Sequence, residues 1–161
     1  MKNARNIAGY FIGFVLFMIL IPLLMWKISG DIEPSSMQIM CLIVMAMIGI
    51  SLSIWSIVYM KNEGNGNPLD AFNHEVAPRT NTLMKDGPYR ICRNPMLLGV
   101  FIFYIGLIIC FMSWKAILVF IFYFAVMMIQ VNSEEKRLEQ DFGEEYRKYR
   151  ENTNKLIPFI W

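Results

Sequence analysis

Two stretches of this chain, Ile7 to Trp26 and Met37 to Met60, contain no charged residue. Each matches the roughly 20 helical residues, at about 1.5 Å of rise apiece, that cross the hydrocarbon core of a bilayer. A third apolar tract, Leu97 to Val131, is interrupted once, at Ser113-Trp114-Lys115. One helix of that length would overshoot the membrane, so the tract predicts a hairpin with arms Leu97–Met112 and Ala116–Val131. Each arm is shorter than about 17 residues, which suits a thinned bilayer or a turn below the outer surface.

Composition agrees with a membrane as the solvent. The chain is 56% hydrophobic and 17% charged, against about 45–50% and about 25% in soluble domains. Its 161 residues suit one domain. Disorder is excluded, and 15 basic against 13 acidic residues leave no basic face for nucleic acid. A single histidine, His74, excludes a two-histidine metal motif. The cysteines Cys41, Cys92 and Cys110 are odd in number and far apart, so no disulfide framework is implied. The thirteen methionines suit lipid contact or gap filling better than metal ligation.

The basic residues set an orientation. Lys2 and Arg5 precede the first span; Lys61, Arg79, Lys85, Arg90 and Arg93 lie between the second and third; Lys136, Arg137, Arg147, Lys148, Arg150 and Lys155 follow the fourth. In a four-span arrangement only Lys27 and Lys115 fall on the opposite side. The positive-inside rule then places both termini, the 61–96 loop and any active site in the cytoplasm. No small-residue cleavage site follows the first span, which argues against a signal peptide.

Small residues recur at helical spacing: Gly9 and Gly13, then Ala46, Gly49, Ser53 and Ser56, then Gly99, Gly106 and Cys110. They predict close backbone approach within one bundle, and a monomer in preference to a dimer. The expected fold is an all-α, polytopic bundle of about four transmembrane helices with a cytoplasmic amphipathic C-terminal helix. That last helix, Asn132 to Tyr149, carries a stripe of Leu138, Phe142, Tyr146 and Tyr149, with Glu144–Lys148 and Arg147–Glu151 as i,i+4 pairs on its wet face.

Polar chemistry gathers on the cytoplasmic side. Gly87-Pro88 marks a turn, and Pro95 fits the first turn of the third span, where its missing N–H costs nothing. Tyr89, Arg90, Arg93 and Asn94 therefore stand at the mouth of a membrane helix. Glu134-Glu135 lies where the fourth span leaves the bilayer, a place where acidic side chains gain nothing from negative lipid. The alternative for that pair is an exposed helix edge.

Three segments in this order resemble the isoprenylcysteine carboxyl methyltransferase and phospholipid methyltransferase superfamily. They are Gly87-Pro88-Tyr89-Arg90-x-x-Arg93-Asn94-Pro95-Met96-x-Leu98-Gly99, Glu134-Glu135-x-x-Leu138, and Phe142-Gly143-Glu144-Glu145-Tyr146-x-x-Tyr149 running on to Lys155-Leu156-Ile157-Pro158. The resemblance covers residues 68–158, with site elements in 68–99 and 130–158. It implies S-adenosyl-L-methionine as cofactor, held by Asn81, Thr82, Leu83, Met84, Tyr89, Asn94, Pro95, Met96, Leu97, Glu134 and Glu135. A carboxylate can pair with the cofactor's ammonium, and aromatic faces can sit beside its sulfonium.

The resemblance further implies methyl transfer to a lipophilic acceptor entering from the bilayer. Lys155 would orient the acceptor, Glu134 or Glu135 would hold the cofactor, Tyr89 would shape the methyl channel, and Gln130 with Lys155 would bind substrate. Four positions depart from the pattern: Asn94 replaces the motif histidine, Leu97 a tyrosine, Lys155 an arginine, and Gln130 a substrate arginine of some eukaryotic members. A carboxylate acceptor is favoured because it is already ionised at neutral pH. The alternatives are a phospholipid amine acceptor, which requires a base, and a non-catalytic membrane protein with the same fold.

Overall fold

A computed structural model of the protein describes residues 15–64, 70–71, 74–75 and 82–157. Four helices account for nearly all of it: α1 Val15–Ser29, α2 Ser36–Gly64, α3 Pro95–Phe111 and α4 Trp114–Asn152. A two-residue antiparallel pair, β1 Asp70–Ala71 with β2 His74–Glu75, lies between α2 and α3. Gly9 and Gly13 fall outside the described residues.

Helix α2 explains why the solvent must be apolar. Its best 18-residue window has a mean hydropathy of 2.4, yet only 17% of that window is buried. The corresponding window of α4 reaches 2.0 with 22% buried. A helix that apolar and that exposed has no stable place in water. Both α2 and α4 are long and apolar enough to cross a membrane, while α1 and α3 are apolar but shorter.

The helices outrun the apolar runs that predict them. Helix α1 continues past Trp26 to Ser29, and its first segment, Val15–Leu20, is π-wound. Helix α2 passes Met60 and ends at Gly64. The hairpin between α3 and α4 is tighter than Ser113-Trp114-Lys115 suggests. Met112 takes a left-handed conformation at φ 46°, Ser113 is extended, and Trp114 and Lys115 already belong to α4.

Helix α3 is the centre of the bundle. Its buried residues include Leu97, Gly99, Val100, Phe101, Tyr104, Gly106, Leu107 and Cys110. On one side Gly49, Ser53 and Ser56 of α2 are buried, and the Ser53 hydroxyl donates to the Met96 carbonyl at 3.0 Å. The small-residue faces of α2 and α3 therefore pack against each other within this chain. On the other side Phe101 and Tyr104 meet Phe120 and Tyr123 of α4 at ring separations of 5.1–6.3 Å. The Tyr104 hydroxyl reaches the Phe17 carbonyl of α1 at 2.7 Å.

The amphipathic C-terminal stretch is not one straight continuation of α4. At Gly143 the backbone leaves the helical region (φ 53°, ψ −120°), and the chain turns back. Glu139 accepts from Arg147 at 2.9 Å and from Arg150 at 3.0 Å. Residues eight and eleven apart lie about 12 and 16 Å apart along an unbroken helix, so one carboxylate reaches both only because the axis reverses. The reversal splits the expected stripe: Leu138 and Phe142 precede it, and Tyr146, now buried, follows it. It also replaces the expected Arg147–Glu151 pairing, since Arg147 bridges Glu139 and, at 3.6 Å, Glu144.

Candidate active site

The site starts at the turn before α3. Gly87 adopts φ +58°, opening a single 3₁₀ turn, Gly87–Arg90, that buries Pro88 and Tyr89. The Tyr89 and Ile91 amides close it on the carbonyls of Asp86 and Pro88, both at 3.1 Å. The Tyr89 ring lies 6.2 Å from that of Tyr59 on α2, and its carbonyl accepts from the Tyr149 hydroxyl at 2.8 Å. Burial, with the charge of Glu134 adding to it, pushes the Tyr89 hydroxyl far above the ordinary tyrosine range. Tyr89 is therefore a neutral group at physiological pH and no base.

Arg93 comes next and gathers the other two motif segments. Its Nε and Nη2 stand 2.8 and 2.7 Å from the same Glu135 oxygen, Oε1. Its Nη1 donates to the carbonyls of Arg150, at 3.2 Å, and Thr153. Its amide donates to the Asn154 carbonyl at 2.8 Å, and the Asn94 side chain to that of Lys155 at 2.9 Å. The side chains of Arg93 and Glu135 are only 9% and 13% exposed. Removing one partner from such a buried pair typically costs about 3–5 kcal/mol, because the other charge is left without compensation.

Lys155 returns over the same acid. Its ammonium is 3.1 Å from Glu135 Oε2 and 2.7 Å from Asn132 Oδ1. The chain past Gly143 is anchored by Leu156, 2% exposed within the apolar core, and by Lys85–Glu145 at 2.8 Å on its wet side. Tyr146 is also buried here, with its hydroxyl beside the Glu135 carboxylate. Burial, reinforced by the Glu135 carboxylate, holds that hydroxyl protonated.

The consecutive acids are in different surroundings. Glu135 has a cation on each oxygen. Glu134 is 32% exposed and stands 3.5 Å from Arg137. Gln130, half-buried, lies one turn before Glu134 on the same face of α4. The exposed-edge alternative does not describe Glu135.

The remaining predicted residues divide into three groups. Thr82 is exposed and donates to the Glu63 carbonyl at 3.4 Å; Leu83 is buried beside it and Met84 half-buried. Pro95 is fully buried at the start of α3, Met96 is half-buried there, and Leu97 points into the apolar core. Asn81 lies outside the described residues. Sequence reasoning gave no site role to Arg93, Asn132 or Tyr59, and placed Tyr149 only in the apolar stripe of the last helix. Arg93 stood inside a motif, but nothing local connects it with an acid 42 residues further on.

These helices and this ionic cluster at their ends define an apolar helical membrane protein whose described residues build a polar site. The family model described as phospholipid methyltransferase matches residues 37–145, about two thirds of the chain, and the protein belongs to that family. It is thus a membrane methyltransferase whose relatives use S-adenosylmethionine. Comparison with curated proteins gave no match.

Proposed function

We propose that the cluster at the cytoplasmic end of α3 and α4 binds S-adenosylmethionine and directs methyl transfer to a lipophilic acceptor arriving from the bilayer. The observation that carries this reading is the meeting of all three motif segments around Glu135, through Arg93 and Lys155. The donor set suits the cofactor. Glu134 offers a partly exposed carboxylate for an ammonium, Tyr59 and Tyr89 offer aromatic surface, and Leu83 offers an apolar wall. When bound, the cofactor supplies a methyl group on a sulfonium, which an acceptor lone pair can attack in line. The protein's part is then positioning and exclusion of water.

A carboxylate is the favoured acceptor. It is already ionised at neutral pH and needs no base, whereas the Tyr89 hydroxyl, held neutral by burial, cannot deprotonate an ammonium. Lys155 would then steer the acceptor by charge, although its donors are directed to Glu135 and Asn132. The family description favours a second reading, a phospholipid amine. The orientation that fits either acceptor is the positive-inside one, with both termini in the cytoplasm. We read the protein as a monomer, since its described small-residue faces are occupied within the chain.

Calorimetry in detergent tests the cofactor assignment. Glu134→Gln should weaken S-adenosylmethionine binding by about tenfold to a hundredfold, the equivalent of a charge-assisted hydrogen bond worth about 1.5–3 kcal/mol. Unchanged affinity in the folded variant would remove Glu134 from the site. Methyl incorporation into a prenylated cysteine carboxylate, set against phosphatidylethanolamine, decides between the acceptors.

A further inference from the structure

Arg93 is the residue on which the described site turns, and resemblance assigns it nothing. Two of its nitrogens take one oxygen of Glu135, and the third takes two tail carbonyls. With its own amide and the Asn94 side chain, residues 93 and 94 collect the carbonyls of Arg150, Thr153, Asn154 and Lys155. Thus the same guanidinium that neutralises Glu135 also fixes the segment that carries Lys155 back to it. Lysine could not do both, because an ammonium has no planar fork with which to serve a carboxylate and two carbonyls together.

We propose that Arg93 is a positioning residue of the methyl-transfer site: by holding Glu135 and the returning tail at once, it sets where the Lys155 ammonium stands and closes the tail over the cofactor. The inference rests on the methyl-transfer reading above. It also divides the labour between the two acids. Glu135 belongs to the clamp, with a cation on each oxygen, while Glu134 is more exposed and stands 3.5 Å from Arg137.

The experiment uses the full chain in lipid nanodiscs and reads two quantities: amide exchange along the chain, and the dissociation rate of S-adenosylmethionine. Arg93→Gln should speed exchange in residues 153–157 and cofactor dissociation, each by about tenfold or more, while α2 and α3 stay within about twofold of the parent. Glu135→Gln should do the same. The double variant should be no worse than the worse single one, since both remove one clamp. Glu134→Gln should speed dissociation and leave the tail protected. If Arg93→Gln does not fold, Arg93→Lys decides, because it keeps a charge for Glu135 and gives up the hold on the tail.

Dissociation and tail exchange unchanged in the Arg93 variants would overturn the proposal. So would exchange rising equally throughout α2 and α3, the sign of a general staple, or losses that multiply in the double variant. A parent chain that binds no S-adenosylmethionine would defeat the functional reading and the positioning role together. Normal parent binding that Arg93 variants do not alter would defeat the positioning role alone.

Discussion

Gly49 of α2 and Gly99 of α3 face each other so closely that a methyl group on either would overlap the other's carbonyl oxygen. A methyl on Gly99 would also overlap the Ser53 hydroxyl, the group that ties α2 to the Met96 carbonyl. Lipid provides no hydrophobic drive for helices to associate, so close backbone approach and interhelical hydrogen bonds must hold this pair. Gly49→Ala and Gly99→Ala should each destabilise the bundle by about 1–3 kcal/mol, the usual cost of overpacking. Gly106→Ala should cost less, because its new methyl would meet only side-chain and backbone carbons of Leu42 and Met45 at 3.1–3.5 Å. Thermal unfolding in detergent should rank the three in that order.

Gly87 combines a backbone demand with a steric one. Its φ is +58°, and a methyl there would lie 2.6 Å from the Tyr59 ring. Left-handed backbone alone costs a non-glycine residue about 1–2 kcal/mol. Gly87→Ala should therefore disturb the Tyr59–Tyr89 contact and weaken S-adenosylmethionine binding. Adding Tyr59→Ala should relieve the overlap without restoring affinity, because the backbone strain and the lost ring both remain. Calorimetry on the single and double variants measures this.

Glu139 fastens the reversal at Gly143 and makes it sensitive to acid. Arg147 first, then Arg150, holds its carboxyl below the ordinary value of 4.5. A carboxyl depressed in the folded state contributes stability above its unfolded pKa and loses it as the pH falls through the folded one. The clasp should thus be intact at neutral pH and weaken only as the pH drops below 4.5. Amide exchange in 144–152, corrected for intrinsic rates, should rise there. Glu139→Gln should raise it at neutral pH and abolish the acid step.

Cys92 should be inert in the folded protein. It is 0% exposed, and burial pushes its thiol up to about 11. The thiolate is the reactive form, so the residue should resist iodoacetamide at neutral pH until the chain unfolds. Mass spectrometry of alkylated protein before and after denaturation reads the difference. Labelling of Cys92 in the folded protein would contradict its burial beneath the Gly87 turn.

The proposed orientation is checked by cysteine accessibility. Ser35→Cys, before α2, should label from the outside, while Lys61→Cys and Asn152→Cys should label from the cytoplasm. Ser35 and Lys61 labelling from one side would mean that α2 does not cross.

What the sequence by itself determined was everything local in character. Uncharged runs over 37–60, 97–112 and 116–131 announced α2, α3 and α4, because a membrane helix must be apolar along its own length. Small residues at Gly49, Ser53, Gly99 and Gly106 announced the faces that pack, since only a missing side chain permits such approach. Gly87-Pro88 and Pro95 marked the turn and the start of α3 through their own backbone constraints. The ion partners were not legible in this way. Arg93 and Glu135 are 42 residues apart, and Glu135 and Lys155 are 20 apart on opposite sides of a reversal; a charge has no sequence signature for the charge it will meet. Gly143 decided that geometry. The apolar stripe of helical period runs straight through it, and only the packing of Tyr146 and Leu156, with Glu139 joined to Arg147 and Arg150, made a reversal there more stable than a straight helix.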